Sequence, residues 1–338
     1  LPHRGRENPV STYPLMGGTE GGQRRLFTAA LAPAWPAGVP FPLQRRLTMS
    51  VDYKQATFDI IAVYDPRDPA KTAMALEDLW LQEPAKEVGG LTAADREALK
   101  AVGVAVSVLT EIGKTIGRAA RRRVDDLLPL ACRLWDEHGR EGRIVAVHAL
   151  GPMELAAPET VIPVIHTLAQ TCLAWEDCDQ LAMRALEPVV RKKPEQWLSA
   201  MEPWLDDENK WVRRAGVTVV ARLPMKHPAY TTRCLELAGR LLLDEDHDVK
   251  RAVSFAIRMC ARGEIEPVRE FLARHVPPED PAATWVLCDA IRSMTKKFLP
   301  EFAPLLPLYE RWAADPTLSA KDRRSVESAV KVLRSVQR

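Results

Sequence analysis

The amino-acid sequence predicts an all-α fold in which pairs of helices stack into a curved α-α superhelix. Apolar residues recur at helical spacing from residue 53 almost to the end of the chain. The segment 207–215 recurs at 244–252, 37 residues later, and both copies contain an acidic pair, a valine, two basic residues and an alanine. A period near 40 residues with two helices per unit is typical of HEAT-like repeats, so we predict a HEAT-like helical-repeat solenoid.

The first 48 residues do not share this pattern. They contain seven prolines and six glycines and lack helical periodicity, which favours disorder over a packed core. Their six arginines, two glutamates and absence of lysine would also suit an organellar transit peptide. We expect a disordered leader or a non-native N-terminal extension over residues 1–48, with a transit peptide as the alternative, and a single repeat domain over 49–338.

Helix signals are clear at the start of this domain. Asp68 and Pro69 provide a capping side chain and a first-turn proline for a helix that we expect to continue to Leu81. Thr92 and Asp95 form a capping-box pattern, and an apolar stripe at residues 102, 106, 109 and 112 predicts a long helix behind it.

A cluster of cations follows this stripe. It comprises Lys114, Arg118, Arg121, Arg122 and Arg123. Such a run forms either a solvated helix face or a track for phosphate groups, and the sequence leaves both interpretations open.

The repeated segment has a simple physical interpretation. Asp207 and Asp244 are expected at the start of the second helix of each pair, where free N–H groups and the positive end of the helix dipole favour an acid. Apolar positions such as Val212 then point inward, and basic residues remain at the edge of the array. The period aligns Arg214 with Arg251, and the basic edge as a whole contains Arg213, Arg214, Lys250 and Arg251. Helix ends and cations in a row suit a phosphodiester backbone.

Beyond residue 281 the repeats lose their clear pattern. Three more amphipathic helices are predicted at 285–294, 301–312 and 319–336. We expect residues 281–338 to cap the end of the solenoid.

Composition excludes several classes of protein. The longest apolar runs are far shorter than the roughly 20 residues that a membrane-spanning helix needs. The net charge is +2, and residues 49–338 carry 41 basic and 43 acidic groups, so nucleic-acid binding would require a local basic surface. The six cysteines are scattered without a Cys-x-x-Cys pair, which favours reduced thiols in a cytoplasmic protein and no metal site.

One stretch carries most of the chemical information. On helices, Trp175 and Asp179 share one face, and Trp211 and Arg214 share another. An aromatic ring, a carboxylate and a guanidinium together can hold a cation, a sugar or a phosphate.

Three segments resemble the signature stretches of the AlkD-type DNA alkylation repair glycosylase family. They are Ala-Trp-Glu-Asp-Cys-Asp at 174–179, Asn-Lys-Trp-Val-Arg-Arg-Ala at 209–215 and Asp-Val-Lys-Arg-Ala-Val-Ser-Phe at 248–255. Residues 112–114, 134–135 and 142–146 are similar to the preceding repeats of that family, so the resemblance covers roughly residues 110–275. The Trp-x-x-x-Asp motif with Trp-x-x-Arg one repeat later is its more specific part.

The resemblance implies a glycosylase that hydrolyses the N-glycosidic bond of cationic N3- or N7-alkylated purines in duplex DNA. It assigns the catalytic carboxylate to Asp179, an aromatic contact to Trp175 and a backbone contact to Arg214. The second aromatic of the family, usually tryptophan, is Phe255 here, which retains a π face but is a weaker partner for a cation. Trp211 is a further candidate for substrate contact, and Arg213, Lys250 and Arg251 are candidates for DNA phosphates.

The alternative from another class is a non-catalytic HEAT-repeat scaffold that binds protein or DNA. The near-neutral charge of residues 49–338 and the phenylalanine at 255 favour this alternative. For the glycosylase we expect duplex DNA with alkylated purines as the partner, a monomer, no cofactor, and a cytoplasmic location that is nucleoid-associated when DNA is bound.

Overall fold

The computed structural model describes residues 51–337, and every regular element in this range is helical. In chain order the α-helices are α1 (Tyr53–Ala62), α2 (Pro69–Trp80), α3 (Ala93–Ala98), α4 (Val106–Ala120), α5 (Val124–Glu137), α6 (Gly139–Ala156), α7 (Pro158–Gln170), α8 (Trp175–Leu181), α9 (Glu187–Lys192), α10 (Pro194–Trp197), α11 (Glu202–Leu205), α12 (Lys210–Arg222), α13 (Thr231–Gly239), α14 (His247–Cys260), α15 (Ile265–His275), α16 (Thr284–Arg292), α17 (Leu306–Ala313) and α18 (Ala320–Arg334). A single π-helical turn, Ala182–Leu186, joins α8 to α9.

The helices form two layers that follow the chain. Helices α1, α4, α6, α8–α9, α12, α14, α16 and α18 pack one against the next and are called the inner layer below. Helices α2, α5, α7, α10–α11, α13, α15 and α17 cover them and are called the outer layer. The chain alternates between the layers from α4 onward, which confirms the predicted all-α helical-repeat solenoid. Within residues 51–337, none of the helices combines the length and the hydrophobicity needed to span a bilayer.

The first predicted helices have the predicted starts. The Asp68 side chain accepts a hydrogen bond from the Lys71 N–H, with Pro69 in the first turn of α2, and Thr92 and Asp95 form a reciprocal capping box at α3. These ends are local features of the sequence, so they were predictable without knowledge of the fold.

The long helix predicted after Thr92 is wrong. Helix α3 ends at Ala98, and α4 begins only at Val106. Gly103 adopts a φ of +99°, and the Glu141 carboxylate on α6 accepts hydrogen bonds from the N–H groups of Val102, Gly103 and Val104. This distant carboxylate satisfies an extended segment that the local pattern alone would continue as a helix.

The repeated segment begins its helices two residues later than predicted. The N-cap residues are Asn209 and Asp246, which accept hydrogen bonds from the N–H groups two positions ahead at 2.8 Å. Asp207 and Asp244 instead accept from the N–H groups of these cap residues, also at 2.8 Å. The acids therefore shape the turn before the helix. The inward positions are as predicted, and Val212 is fully buried.

The C-terminal helices complete the array. Helices α16, α17 and α18 occupy the three predicted segments, with a 3₁₀ segment, Leu299–Leu305, leading into α17. Tyr309 and Val326 are buried between them. Residues Ser50–Arg338 form one compact unit, and the prediction for residues 1–48 lies outside the described residues.

Helices α4 and α6 approach closely at Gly113. A Cβ added there would collide with the Val145 carbonyl oxygen and lie 2.6 Å from the His148 Cβ. The absence of a side chain is therefore a packing requirement at this crossing.

We expect Gly113→Ala to lower the free energy of unfolding by about 1–3 kcal/mol, because the added methyl overpacks the α4–α6 contact and outweighs the better helix propensity of alanine. Chemical denaturation followed by circular dichroism measures this. Gly89→Ala is the matched control, since a Cβ there meets nothing within 4 Å. Equal stability of the two variants would contradict the close approach.

Glu154 is a buried carboxyl group on α6. Its side chain is fully buried, and neither oxygen has a hydrogen-bond partner among the described residues. Burial raises the pKa of Glu154 to about 9, and the nearby Glu187 adds to the increase. The group is therefore neutral in the folded chain at pH 7.

Glu154 should make stability depend on pH. The contribution of Glu154 to the free energy of unfolding is complete below pH 4.5, the ordinary pKa of the group. It is lost as the pH rises toward 9, because in that range Glu154 ionises only in the unfolded chain. We expect Glu154→Gln to be more stable than wild type at pH 8 by a few kcal/mol, roughly 1.4 for each pH unit crossed, and similar at pH 4. Glu270→Gln, exposed on α15, is the control. Parallel pH profiles for wild type and Glu154→Gln would refute this assignment.

Candidate nucleic-acid site on the inner layer

The start of α8 is held by a buried carboxylate. Asp177 accepts hydrogen bonds from the N–H groups of Leu173 at 2.9 Å and Ala174 at 3.0 Å, and from the Arg143 guanidinium on α6. Burial raises the pKa of Asp177, although the Leu173 and Arg143 hydrogen bonds act in the opposite direction. These bonds fix the first turn of α8, and with it the positions of Trp175 and Asp179.

Ion pairs connect successive repeats along the same edge. Each joins a basic residue near the start of one inner helix to an acid near the start of the next unit, or the reverse. They are Arg140–Glu176, Arg143–Asp177, Arg214–Asp179, Arg213–Asp244 and Lys210–Asp248, and they are called the charge ladder below. The ladder sets the spacing of the inner helices, because a charged group buried without its partner is costly.

Asp179 and Arg214 form the central pair of the ladder. The Arg214 Nε donates to one carboxylate oxygen of Asp179 at 2.9 Å, and Nη2 donates to the other at 2.8 Å. This is the two-pronged geometry in which a guanidinium and a carboxylate match best. The predicted meeting of a carboxylate from one repeat with a guanidinium from the next is therefore present.

Two further groups complete this pair, and the sequence analysis missed both. The Asp248 carbonyl oxygen, at the start of α14, accepts from Arg214 Nη1 at 2.5 Å. The Thr218 hydroxyl lies 3.4 Å from an Asp179 oxygen. Thr218 follows Arg214 by one helical turn and takes the same repeat position as Phe255, so the 37-residue period could have pointed to it.

The two members of the pair differ in access to solvent. The Asp179 side chain is 20% exposed and that of Arg214 only 7%. Burial by itself lowers the pKa of Arg214, but Asp179 more than offsets this, so the pKa lies above its ordinary value and the guanidinium stays charged. With Asp179 and Asp248 as its partners, Arg214 orients the carboxylate. A contact of Arg214 with DNA phosphate stays a prediction.

Three half-buried aromatic residues lie on three consecutive inner helices. Trp175 on α8 packs against Leu91 and Leu99. Trp211 on α12 faces the Lys210 ammonium, 4.5 Å from the ring centroid. Phe255 on α14 packs on the main core and has the Arg258 guanidinium 5.7 Å from its ring centroid.

Arg258 is a third residue near the candidate site that the sequence analysis missed. It follows Phe255 by three residues on α14 and donates to the carbonyl oxygens of Ser254 and Ser293, each at 3.3 Å. Burial lowers its pKa, and Asp289 partly opposes this. Its spacing from Phe255 was the available signal.

The residues predicted to bind phosphate fall into two groups. Arg213 is bound to the Asp244 carboxylate through Nε at 2.7 Å and Nη2 at 3.2 Å. Lys250 is half-buried and Arg251 exposed, and neither has a carboxylate within 4 Å in the described part of the chain. Lys250 and Arg251 therefore keep their charge available to a ligand, whereas Arg213 does not.

The fold and the site define a class of protein: a helical-repeat solenoid with a partly exposed carboxylate, aromatic rings and cations on its inner layer. The sequence model of the family described as "DNA alkylation repair enzyme" matches residues 81–294. The chain therefore belongs to the DNA alkylation repair enzyme family, which confirms the resemblance found in its motifs. Family membership indicates a role in the repair of alkylated DNA and DNA as the partner.

Two solved structures resemble the chain loosely. One is an engineered protein at 9% identity and a TM-score of 0.30, covering 73% of this chain and 98% of its own. The other is a designed armadillo repeat protein at 16% identity and a TM-score of 0.28, covering 68% of this chain and 92% of its own. No curated protein matches the chain.

We expect Arg143→Met to lower the free energy of unfolding by about 3–5 kcal/mol, because it leaves the buried Asp177 carboxylate without its cation. The change also removes the guanidinium stacked 4.5 Å from the Trp135 ring centroid. Urea denaturation measures the effect.

Arg233→Met is the control for this change. Arg233 pairs with Glu202 and Glu236 on the outer layer, and its side chain is 48% exposed. Its loss should cost less than about 1 kcal/mol. Similar losses for the two variants would show that the charge ladder does not hold the repeats together.

Proposed function

We propose that the chain is a DNA glycosylase that hydrolyses the N-glycosidic bond of cationic N3- or N7-alkylated purines in duplex DNA. One observation carries the proposal. The Asp179 carboxylate is oriented by a buried guanidinium and remains partly open to solvent on the inner layer. A fixed negative charge of this kind can stabilise a positive sugar.

The chemistry needs no enzymic acid for the leaving group. An alkylated N3 or N7 position already gives the purine a positive charge, so the electron pair of the broken C1′–N bond neutralises the base as it leaves. The deoxyribose becomes an oxocarbenium-like cation. A carboxylate near C1′ lowers the energy of this transition state, water then adds to C1′, and the released proton passes to solvent or to the carboxylate.

Arg214 supports an electrostatic role for Asp179. Each carboxylate oxygen has two lone pairs, and Arg214 uses one on each oxygen. The Thr218 hydroxyl lies 3.4 Å from Oδ1, so the second lone pair of Oδ2 is available to the sugar or to a water molecule. Because both oxygens of Asp179 are already bound to Arg214, the proposal gives more weight to stabilising the cation and orienting water than to removing a proton.

The aromatic residues supply the second part of the proposal. Trp175 lies one turn before Asp179 on α8, and Phe255 lies on α14, two inner helices further along the chain. Their π faces would attract the positive charge of the alkylated base or of the forming sugar cation. Trp211, which faces Lys210, is the weaker candidate for this contact.

The alternative is a helical-repeat protein that binds DNA or protein without catalysis. The burial of Arg214 favours it, because a closed ion pair can be purely structural. This alternative predicts no base release from alkylated DNA under any condition.

The decisive experiment measures the release of 7-methylguanine from methylated duplex DNA by purified protein. We expect wild type to release the base and Asp179→Asn to be slower by about 100-fold or more, because the negative charge at C1′ is lost. DNA binding, measured in parallel, should survive the substitution.

Two further variants separate chemistry from folding. Glu202→Gln breaks the hydrogen bonds of Glu202 with Arg233 and Arg240 on the outer layer and leaves the charge ladder and Asp179 in place, so it should retain release. Asp179→Asn combined with Arg214→Met removes the unpaired buried cation and should stay inactive while folded. Release by Asp179→Asn at the wild-type rate, or no release by wild type from any alkylated duplex, would refute the proposed reaction.

A further inference from the structure

Helix α16 repeats the motif that carries the candidate site on α8. Both helices contain Trp-x-x-Cys-Asp near their starts, at residues 175–179 and 285–289. The two copies are 110 residues apart, which is three repeats of 36 or 37 residues. The inner helices α8, α12, α14 and α16 pack one against the next. Asp289 therefore takes the repeat position of Asp179, three inner helices further along.

The two copies of the motif are also buried alike. The cysteines, Cys178 and Cys288, are fully buried. The Asp289 side chain is 20% exposed, as is that of Asp179. Trp285 is half-buried like its counterpart on α8, and its ring packs against that of His247 with 4.6 Å between the centroids. Each helix thus buries the cysteine and leaves the carboxylate partly open to solvent.

The Asp289 carboxylate is oriented by three donors. The Ser254 hydroxyl on α14 donates to Oδ2 at 2.6 Å. The Ser293 hydroxyl and Arg292 Nη2 donate to Oδ1 at 3.3 and 3.4 Å. Two donors on Oδ1 and one on Oδ2 leave a lone pair of Oδ2 free among the described residues. The carboxylate of the candidate site on α8 has the same arrangement, with two donors on Oδ1 and one on Oδ2.

The charged groups around Asp289 balance. Arg292 contacts the carboxylate, and Arg258 lies near enough that Asp289 partly opposes the decrease in its pKa caused by burial. A second acid, Asp322 on α18, lies close to the same cluster. Burial raises the pKa of the Cys288 thiol to about 12, and the charges of Asp322 and Asp289 add to the increase while that of Arg292 opposes it. Two acids and two guanidinium groups leave no net charge that would repel a cation.

The two carboxylates differ in how firmly they are held. Arg214 reaches Asp179 from the next inner helix with two bonds of 2.9 and 2.8 Å, and its side chain is only 7% exposed. Arg292 lies on the same helix as Asp289, makes one contact of 3.4 Å, and is 24% exposed. A two-pronged pair orients a carboxylate better than a single long contact. Asp289 is therefore the less preorganised of the two groups.

We propose that α16 carries a second, slower glycosylase centre, in which Asp289 stabilises the positive sugar of a cationic N3- or N7-alkylated purine nucleotide. This inference rests on the proposed function for its chemistry. The C1′–N bond breaks, its electron pair leaves with the base, water adds to C1′, and the released proton passes to solvent. Trp285, one turn before Asp289, takes the role proposed for Trp175.

The distance between the two carboxylates makes the second centre independent of the first. Three steps between neighbouring inner helices, at about 8–10 Å each, separate α8 from α16 by roughly 24–30 Å. A carboxylate stabilises a sugar cation only in close contact, so Asp179 and Asp289 cannot act on the same sugar. Base release by the two centres should therefore be additive.

The test measures the residual release of 7-methylguanine from methylated duplex DNA by Asp179→Asn. Adding Asp289→Asn should lower this residual release by about tenfold or more, because the second negative charge is lost. Adding Glu327→Gln instead, at an exposed acid on α18, should leave it unchanged. Asp289→Asn alone should change the release by wild type little, because Asp179 accounts for most of it.

A second variant guards against a loss of folding. Ser254→Ala removes the 2.6 Å hydrogen bond to Asp289 and leaves the carboxylate in place. Combined with Asp179→Asn, it should lower the residual release severalfold, because Asp289 is then less well oriented. Melting curves establish that each combined variant is folded.

The two proposals fail in different ways. Release by wild type, with equal residual rates for Asp179→Asn and for its combination with Asp289→Asn, would overturn the second centre alone. Release by Asp179→Asn at the wild-type rate that disappears in the combined variant would refute the role of Asp179 and support that of Asp289. No release by wild type from any alkylated duplex would overturn both.

Discussion

The ion pair between Asp179 and Arg214 is the interaction on which the candidate site depends. It joins α8 to α12 and positions the Asp179 carboxylate, which is partly exposed to solvent. The pair is itself supported from both sides, by Asp177 at the start of α8 and by the Asp248 carbonyl oxygen at the start of α14. The reactive position is therefore set by packing between repeats, and a change in helix spacing anywhere along the charge ladder would displace it.

Buried ion pairs of this kind do little for stability by themselves. The cost of removing two charges from water is close to what their attraction returns, whereas loss of one partner is severe. In this chain the pairs have a geometric consequence. Arg140, Arg143, Arg213 and Arg214 each reach an acid contributed by another repeat, so each pair fixes the register of neighbouring helices. Such a charge ladder lets a largely apolar stack present a polar group at a defined position.

The distribution of paired and unpaired cations also explains how a chain with a net charge of only +2 can bind DNA. Acids neutralise the cations at the starts of α6 and α12, which are Arg140, Arg143, Lys210, Arg213 and Arg214. Lys114, Arg184, Arg222 and Lys226 are left with uncompensated charge along one groove. Local excess charge, rather than total charge, determines where a polyanion binds.

The sequence by itself determined the features that depend on short spacings. These are the helical periodicity, the 37-residue repeat with Val212 at its core, the caps at Asp68 and Thr92, and the motifs that mark the family. Tertiary structure decided the features that depend on distant partners. Glu141 stabilises the extended segment that replaces the helix expected before α4. Contacts from neighbouring repeats bury Arg214. Which arginines are paired and which are free was also decided there. The physical reason is that periodicity acts within one helix, whereas burial and ion pairing depend on residues about 35 positions apart that only the stacked repeats bring together.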